Sequence, residues 1–193
     1  MVFFAMMIAI TVVLGIISNF IKFGLISITL TLIPVIVGAA IFGWRGGAVL
    51  GFVSGLIVYF SGLLLWDGGT VMFYITSNGF ISAVATPLLV IIKGTAAGIC
   101  AGLVYKLAAK KSSLLGVVLA GITAPVVNTG IFVLGTLTIF RNTLGEGSLW
   151  VVLVALLAAI WVNFVIELSL DLVLSTAVER IVTASKKNKF ASN

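Results

Sequence analysis

The chain has 193 residues, of which 62% are hydrophobic and only 8% are charged, and its mean hydropathy is +1.35. Soluble domains are about half apolar and about a quarter charged, so this composition excludes an ordinary globular protein and indicates an integral membrane protein. Because histidine is absent and Cys100 is the only cysteine, a Cys/His zinc site, a Ser-His-Asp triad and a disulfide framework are excluded as well. The sequence has no GxxxxGK[ST] phosphate loop, and we expect no enzyme activity, metal or cofactor in the chain itself.

Six apolar stretches, separated by polar or glycine-rich turns, predict an all-α bundle of six transmembrane helices in a single membrane domain. The first stretch lacks the basic leader of a secretory signal, and we interpret it as a true span. The second contains Pro34 and ends at the turn Gly43-Trp44-Arg45-Gly46. The predicted spans are residues 3–20, 28–42, 47–66, 87–109, 114–139 and 149–183.

The basic residues predict the orientation, because short cytoplasmic loops carry an excess of lysine and arginine. If both termini are cytoplasmic, the outer side holds only Lys22 and Arg141, while Lys93 falls within the fourth span. We therefore expect both termini inside a prokaryotic-type plasma membrane, and the net charge of +6 reflects topology rather than nucleic-acid binding. The basic residues predicted inside are Arg45, Lys106, Lys110, Lys111, Arg180, Lys186, Lys187 and Lys189.

The longest connection between the predicted spans, residues 67–86, lies outside in this topology. Its Asn78-Gly79 pair between apolar runs is typical of a β-hairpin, and a short helix is the alternative. A connection of this length is either a lid over a binding site or an interfacial segment on the lipid headgroups.

Small residues recur at four-residue spacing in several spans, and residues four apart share one helix face. Such faces allow close helix contact within lipid. Ala5 and Ala9 form the corresponding pair in the first span, which we expect at the periphery and therefore interpret as a candidate partner surface. The glycines with this spacing are Gly43, Gly47, Gly51 and Gly55, followed by Gly94, Gly98 and Gly102.

Polar residues within the predicted spans indicate a ligand pocket open to the outside. Lys93 is either the counter-ion of an anionic ligand or a side chain that snorkels or pairs with a carboxylate. Asn128 and Asn163 need hydrogen-bond partners, which a neighbouring helix or a ligand can supply. Tyr59 and Trp66 lie seven residues apart and either line the same pocket or belong to an interfacial aromatic belt.

Two carboxylates, Glu167 and Asp171, lie four residues apart on the sixth predicted span. We expect them toward the inner side, where they serve packing or cap the inner end. A secondary transporter driven by an ion gradient would use such carboxylates as a relay. It would often have two related halves, and no internal repeat is visible.

Residues 33–43 (IPVIVGAAIFG) and 46–56 (GGAVLGFVSGL) resemble the substrate-binding S-components of energy-coupling factor (ECF) vitamin transporters. Lys93-Gly94, the Gly98 and Gly102 steps and Tyr105-Lys106 also fit, and the resemblance covers essentially the whole chain. It implies a vitamin-binding membrane subunit that works with a transmembrane coupling subunit and two ATPases. It also implies that Ala5 and Ala9 dock on the coupling subunit.

Residues 125–132 (PVVNTGIF) most resemble the pantothenate-type members of this family. Pantothenate carries a carboxylate that suits Lys93, together with hydroxyl and amide groups that suit Asn128 and Asn163. Tyr59 and Trp66 would cover the apolar body. The alternatives are an S-component for folate, cobalamin or riboflavin, an ion-driven secondary transporter, a membrane enzyme, and an assembly subunit without a ligand.

Overall fold

A computed structural model describes residues 2–23, 26–27, 29–67, 70–77, 79–140 and 149–191. In this part of the chain the fold is helical, as predicted, apart from a two-residue antiparallel pair between β1 (Lys22–Phe23) and β2 (Ile26–Ser27). The helices are α1 (Val2–Ser18), α2 (Leu32–Leu63), α3 (Thr70–Ser77), α4 (Gly79–Ala108), α5 (Ser113–Ile139) and α6 (Leu149–Ala191).

Four segments of the described chain are long and apolar enough to cross a bilayer: α2, α4, α5 and residues 160–184 of α6. The 17-residue α1 is apolar but shorter. Helix α4 packs between α2 and α5, α6 packs mainly against α5, and α1 packs against α2. Arg141, which contributes to the predicted orientation, lies outside the described residues.

Helix α2 is a helical hairpin rather than one straight rod. Gly43 has φ 75° and ψ −171°, a conformation that side-chain-bearing residues rarely adopt, and it divides α2 into arms of residues 32–42 and 44–63. The two arms face each other, since Gly38 contacts the Leu50 side chain and the Thr31 hydroxyl hydrogen-bonds the Ser54 hydroxyl. The break lies at the glycine-rich turn that the sequence predicts between the second and third spans.

The two glycine series face each other across the contact between α2 and α4. A Cβ atom added to Gly94 would lie 2.5 Å from the Gly51 carbonyl oxygen, and one added to Gly55 would lie 2.7 Å from the Ile91 Cα. The second arm of α2 therefore touches α4 backbone to backbone, in antiparallel order, over several turns. The facing pairs are Trp44 with Gly102, Gly47 with Gly98, Gly51 with Gly94, and Gly55 with Ile91.

The connection predicted at residues 67–86 is largely helical, and the hairpin interpretation is wrong. Residues 70–77 form α3, while α4 begins at Gly79, where φ is +61°; Asn78 lies outside the described residues. A helix is favoured here because Val71 and Tyr74, three residues apart, are both buried. The longer α4 places Lys93 14 residues, or about 21 Å, from its N-terminus, whereas the predicted span of residues 87–109 places it only six residues from that end.

The glycine contact predicts a specific pattern of stability. Gly98→Ala would push a methyl group into the Gly47 backbone. We expect the free energy of unfolding to fall by about 1–3 kcal/mol, because the two closely packed backbones would have to move apart. Gly130→Ala on α5 is the matched control, since no atom from other described segments lies within 4 Å of its added Cβ. Thermal unfolding of the purified protein in detergent would measure both, and equal melting temperatures would contradict the packing argument.

Candidate functional site

A cavity opens between the helices, and all six described helices line it. Its empty volume is about 1050 Å³ with the opening to solvent included. Helices α4 and α6 each present a face with the spacing i, i+3, i+4, i+7, which is one side of a helix. These faces consist of Thr86, Leu89, Val90 and Lys93 on α4 and of Ile160, Asn163, Phe164 and Glu167 on α6.

A positive and a negative side chain share this cavity. The Lys93 ammonium lies 5.2 Å from the centroid of the Phe132 ring, within the range of a cation–π contact. Lys93 also interacts electrostatically with Glu167, which is 7% exposed. Glu167 Oε1 accepts a hydrogen bond of 2.8 Å from the backbone N–H of Thr29, just before α2. The carboxylate therefore ties α6 to the connection between α1 and α2.

Neutral polar side chains cover other parts of the cavity wall. Asn128 and Asn163 are buried, with exposures of 5% and 6%, and Thr129 lies beside Asn128. Thr86 is 2% exposed, and its hydroxyl has no hydrogen-bond partner among the residues that the structure describes. Because buried polar groups are normally hydrogen-bonded, the Thr86 hydroxyl is available to a bound molecule.

Helix α3 and Asp67, three positions before its first residue, line one part of the cavity. Asp67 Oδ2 accepts the Val71 N–H at 2.8 Å and so caps the start of α3. Tyr74 packs edge-on against Phe140, at 4.8 Å between ring centroids, and against Phe132, at 5.9 Å. Burial raises the pKa of the Tyr74 hydroxyl above 10.0, and the nearby Thr136 side chain partly opposes the rise. Tyr74 therefore stays neutral and can both donate and accept hydrogen bonds.

A polar network joins α1 to α2 at the cavity. The Asn19 amide donates to the Ser61 hydroxyl at 2.9 Å and to the Gly15 carbonyl oxygen at 2.8 Å. The Ser18 hydroxyl accepts the Leu30 N–H at 3.2 Å. Ser18 and Asn19 both line the cavity, so this wall is held by hydrogen bonds rather than by packing alone.

The structure brings three of the five predicted pocket residues together: Lys93, Asn128 and Asn163 all line the cavity. Tyr59 and Trp66 do not. Helix α2 ends at Leu63, so the seven-residue spacing does not keep Trp66 on the helix face of Tyr59. The Tyr59 ring lies 5.7 Å from Phe60, and the Trp66 ring lies 6.4 Å from Phe20.

The sequence prediction did not include Glu167 among the pocket residues. Its position four residues after Asn163 places it on the same helix face and could have indicated it. It lies in the cavity wall beside Thr29, and not among the packing or capping residues expected at the inner end. Ser18, Asn19 and Thr31 are also missing, and their sequence context has no periodicity that would single them out.

Helix α1 presents Ala5 and Ala9 on an exposed face. Its buried residues, Met7, Thr11, Gly15 and Ser18, follow the opposite side of the helix at spacings of three and four. The predicted partner surface is therefore exposed in the described part of the chain.

Comparison with known proteins identifies the family. A family model described as the substrate-specific component of ECF transporters matches residues 1–178. The chain belongs to this family. The pantothenic acid transporter PanT of Lactococcus lactis subsp. cremoris (strain MG1363) is 29% identical over 167 residues, which cover 83% of this chain and 80% of that protein. No solved structure matches the chain.

Membership confirms the resemblance seen in residues 33–56. As a member of the ECF substrate-specific family, the chain is a membrane transporter component rather than an enzyme. The long apolar helices of this S-component agree with that assignment, and its cavity is the candidate substrate site.

Two threonine substitutions in the cavity wall should differ in stability. Thr31→Val removes the partner of the Ser54 hydroxyl, and we expect a loss of about 1–3 kcal/mol because a buried donor is left without a bond. Thr86→Val removes a hydroxyl that has no partner, so the ligand-free S-component should be as stable as the wild type or more so. Thermal unfolding without ligand would test the pair, and an equal loss in both variants would contradict it.

Proposed function

We propose that the chain is the high-affinity binding subunit of an ATP-driven vitamin importer, and that its vitamin is pantothenate. The observation that carries this proposal is the joint presence of Lys93, Asn128 and Asn163 in one cavity. A pocket with apolar walls and a few convergent polar groups suits a small amphipathic solute. The PanT relative supports the choice of vitamin.

The cavity offers a matching group for each part of pantothenate. Lys93 would bind the carboxylate through a charge-assisted hydrogen bond. Asn128 and Asn163 would bind the amide and hydroxyl groups, because an amide side chain both donates and accepts. Phe132 and Phe140 line the cavity and would cover the apolar part, the role that the sequence suggested for Tyr59 and Trp66.

Six membrane crossings with both termini in the cytoplasm accord with this role. The second arm of α2, residues 44–63, is about 30 Å long, enough for the hydrocarbon core. The first arm, residues 32–42, is only about 16 Å long, about half of that thickness. The bias of the basic residues toward one side supports the orientation, and a multi-pass plasma-membrane location follows.

Energy for uptake would come from partner subunits, because the chain carries no phosphate loop. The expected partners are a transmembrane coupling subunit and two ATPases. The exposed Ala5 and Ala9 on α1 are the proposed contact with the coupling subunit, since two small residues on one face let a second helix approach closely.

The role of Lys93 can be tested by calorimetry on the purified chain in detergent. Wild type should bind pantothenate roughly 10- to 100-fold more tightly than pantothenyl alcohol, which lacks the carboxylate, because hydrogen bonds to charged groups are the stronger ones. In Lys93→Met this preference should disappear. Lys106→Met is the matched control, since it removes an exposed lysine of the same helix.

Three outcomes would contradict parts of this proposal. If Lys93→Met kept the preference for pantothenate, Lys93 would not bind the carboxylate. If mass spectrometry of the molecule released from the purified chain found a flavin, folate or corrinoid, pantothenate would be the wrong vitamin. Uptake that continued without ATPase subunits and stopped when the proton gradient was abolished would favour a secondary transporter.

Docking at α1 can be separated from binding. The double variant Ala5→Trp/Ala9→Trp should bind pantothenate with wild-type affinity but lose at least about 90% of uptake in cells that express the coupling module, because the bulky rings prevent close helix approach. Ala177→Trp changes an exposed alanine on α6 and should leave uptake unchanged. Normal transport by the double variant would refute this docking surface.

A further inference from the structure

The formal charges that line the cavity do not cancel. Among the described lining residues, Lys93 is the cation, whereas Asp67 and Glu167 are both carboxylates. Asp67 accepts the Val71 N–H at the N-terminus of α3, where the helix dipole favours a negative charge. Glu167, in contrast, interacts with Lys93 itself, the group that would receive an anionic ligand.

Glu167 is held in a fixed position within this wall. Its Oε1 atom accepts the Thr29 N–H at 2.8 Å, and its side chain is almost fully buried. Asn163 lies one helical turn away and also faces the cavity. A ligand carboxylate on Lys93 would therefore have a second carboxylate as its neighbour, and an ionised carboxylate accepts hydrogen bonds but cannot donate them.

We propose that Glu167 is a specificity-determining residue that restricts the ligand to a single negative charge. The site would accept a monocarboxylate with hydroxyl or amide donors and reject the phosphate ester of the same compound. A phosphate monoester adds a charge of about −1.5 to −2 and only acceptor oxygens at neutral pH, and like charges brought together in a desolvated site are strongly disfavoured. This inference rests on the proposed vitamin-binding function.

The test compares pantothenate with its phosphate monoester, both measured by calorimetry on the full chain in detergent. Wild type should bind the ester at least about 100-fold more weakly. Glu167→Gln keeps an oxygen for the Thr29 N–H but removes the charge, so the ratio of the two dissociation constants should fall at least about tenfold. Most of the change should come from tighter binding of the ester.

Glu179→Gln is the matched control, because it makes the same chemical change on the same helix about 18 Å farther along. The ratio of the dissociation constants for the ester and for pantothenate should be the same in Glu179→Gln as in the wild type. Equal affinity of wild type for pantothenate and its ester would overturn the proposal, whether or not the Glu167→Gln variant folds. An unchanged ratio in a folded Glu167→Gln variant would overturn it as well.

Failure of the vitamin assignment would be seen separately. If wild type bound riboflavin instead of pantothenate, the proposed substrate would be wrong, and Glu167 would be tested with riboflavin and its phosphate ester in the same way. The role of Glu167 would be supported if wild type bound that ester more weakly than riboflavin and if this difference were smaller in Glu167→Gln. Equal binding of riboflavin and its ester would refute it.

Discussion

The backbone contact between the second arm of α2 and α4 is the constraint on which the other features depend. Lipid tails are as apolar as leucine, so helices in a bilayer associate through close packing rather than through hydrophobicity. The contact also sets the rotation of α4, because Gly94 faces Gly51. Lys93 is the preceding residue and is turned about 100° from that interface, which directs it into the cavity.

The orientation of α4 about its own axis explains how a lysine can lie deep in an apolar helix. An ionisable group within a membrane bundle normally has a partner or a function, and Lys93 interacts electrostatically with Glu167 and contacts the Phe132 ring. Glu167 in turn binds the Thr29 N–H. Glu167 therefore connects α6 to the segment before α2 by a hydrogen bond and interacts electrostatically with Lys93 on α4, so the cavity wall is built from segments that are distant in the sequence.

Features that depend on local periodicity could be predicted from the sequence. The four-residue spacing of the glycines correctly predicted close packing, and polar residues in apolar spans predicted that Lys93 and Asn128 would lie in one cavity. Trp66 could not be placed correctly because its position depends on the helix end at Leu63. The bond between Asn19 and Ser61 joins residues 42 positions apart, and no local pattern encodes such a contact.

Helix α1 carries the proposed binding and docking roles on different parts of its surface. Gly15 and Ser18, near its C-terminal end, line the cavity, whereas Ala5 and Ala9 are exposed near its N-terminal end on the opposite face. A partner helix seated on the alanines would therefore leave the cavity lining uncovered. One route from this docking surface to the bound molecule runs along α1 to the hydrogen bonds of Ser18 and Asn19 with α2 and the segment before it. Since those bonds hold one wall of the cavity, a small shift of α1 would change the wall without any direct contact between partner and ligand.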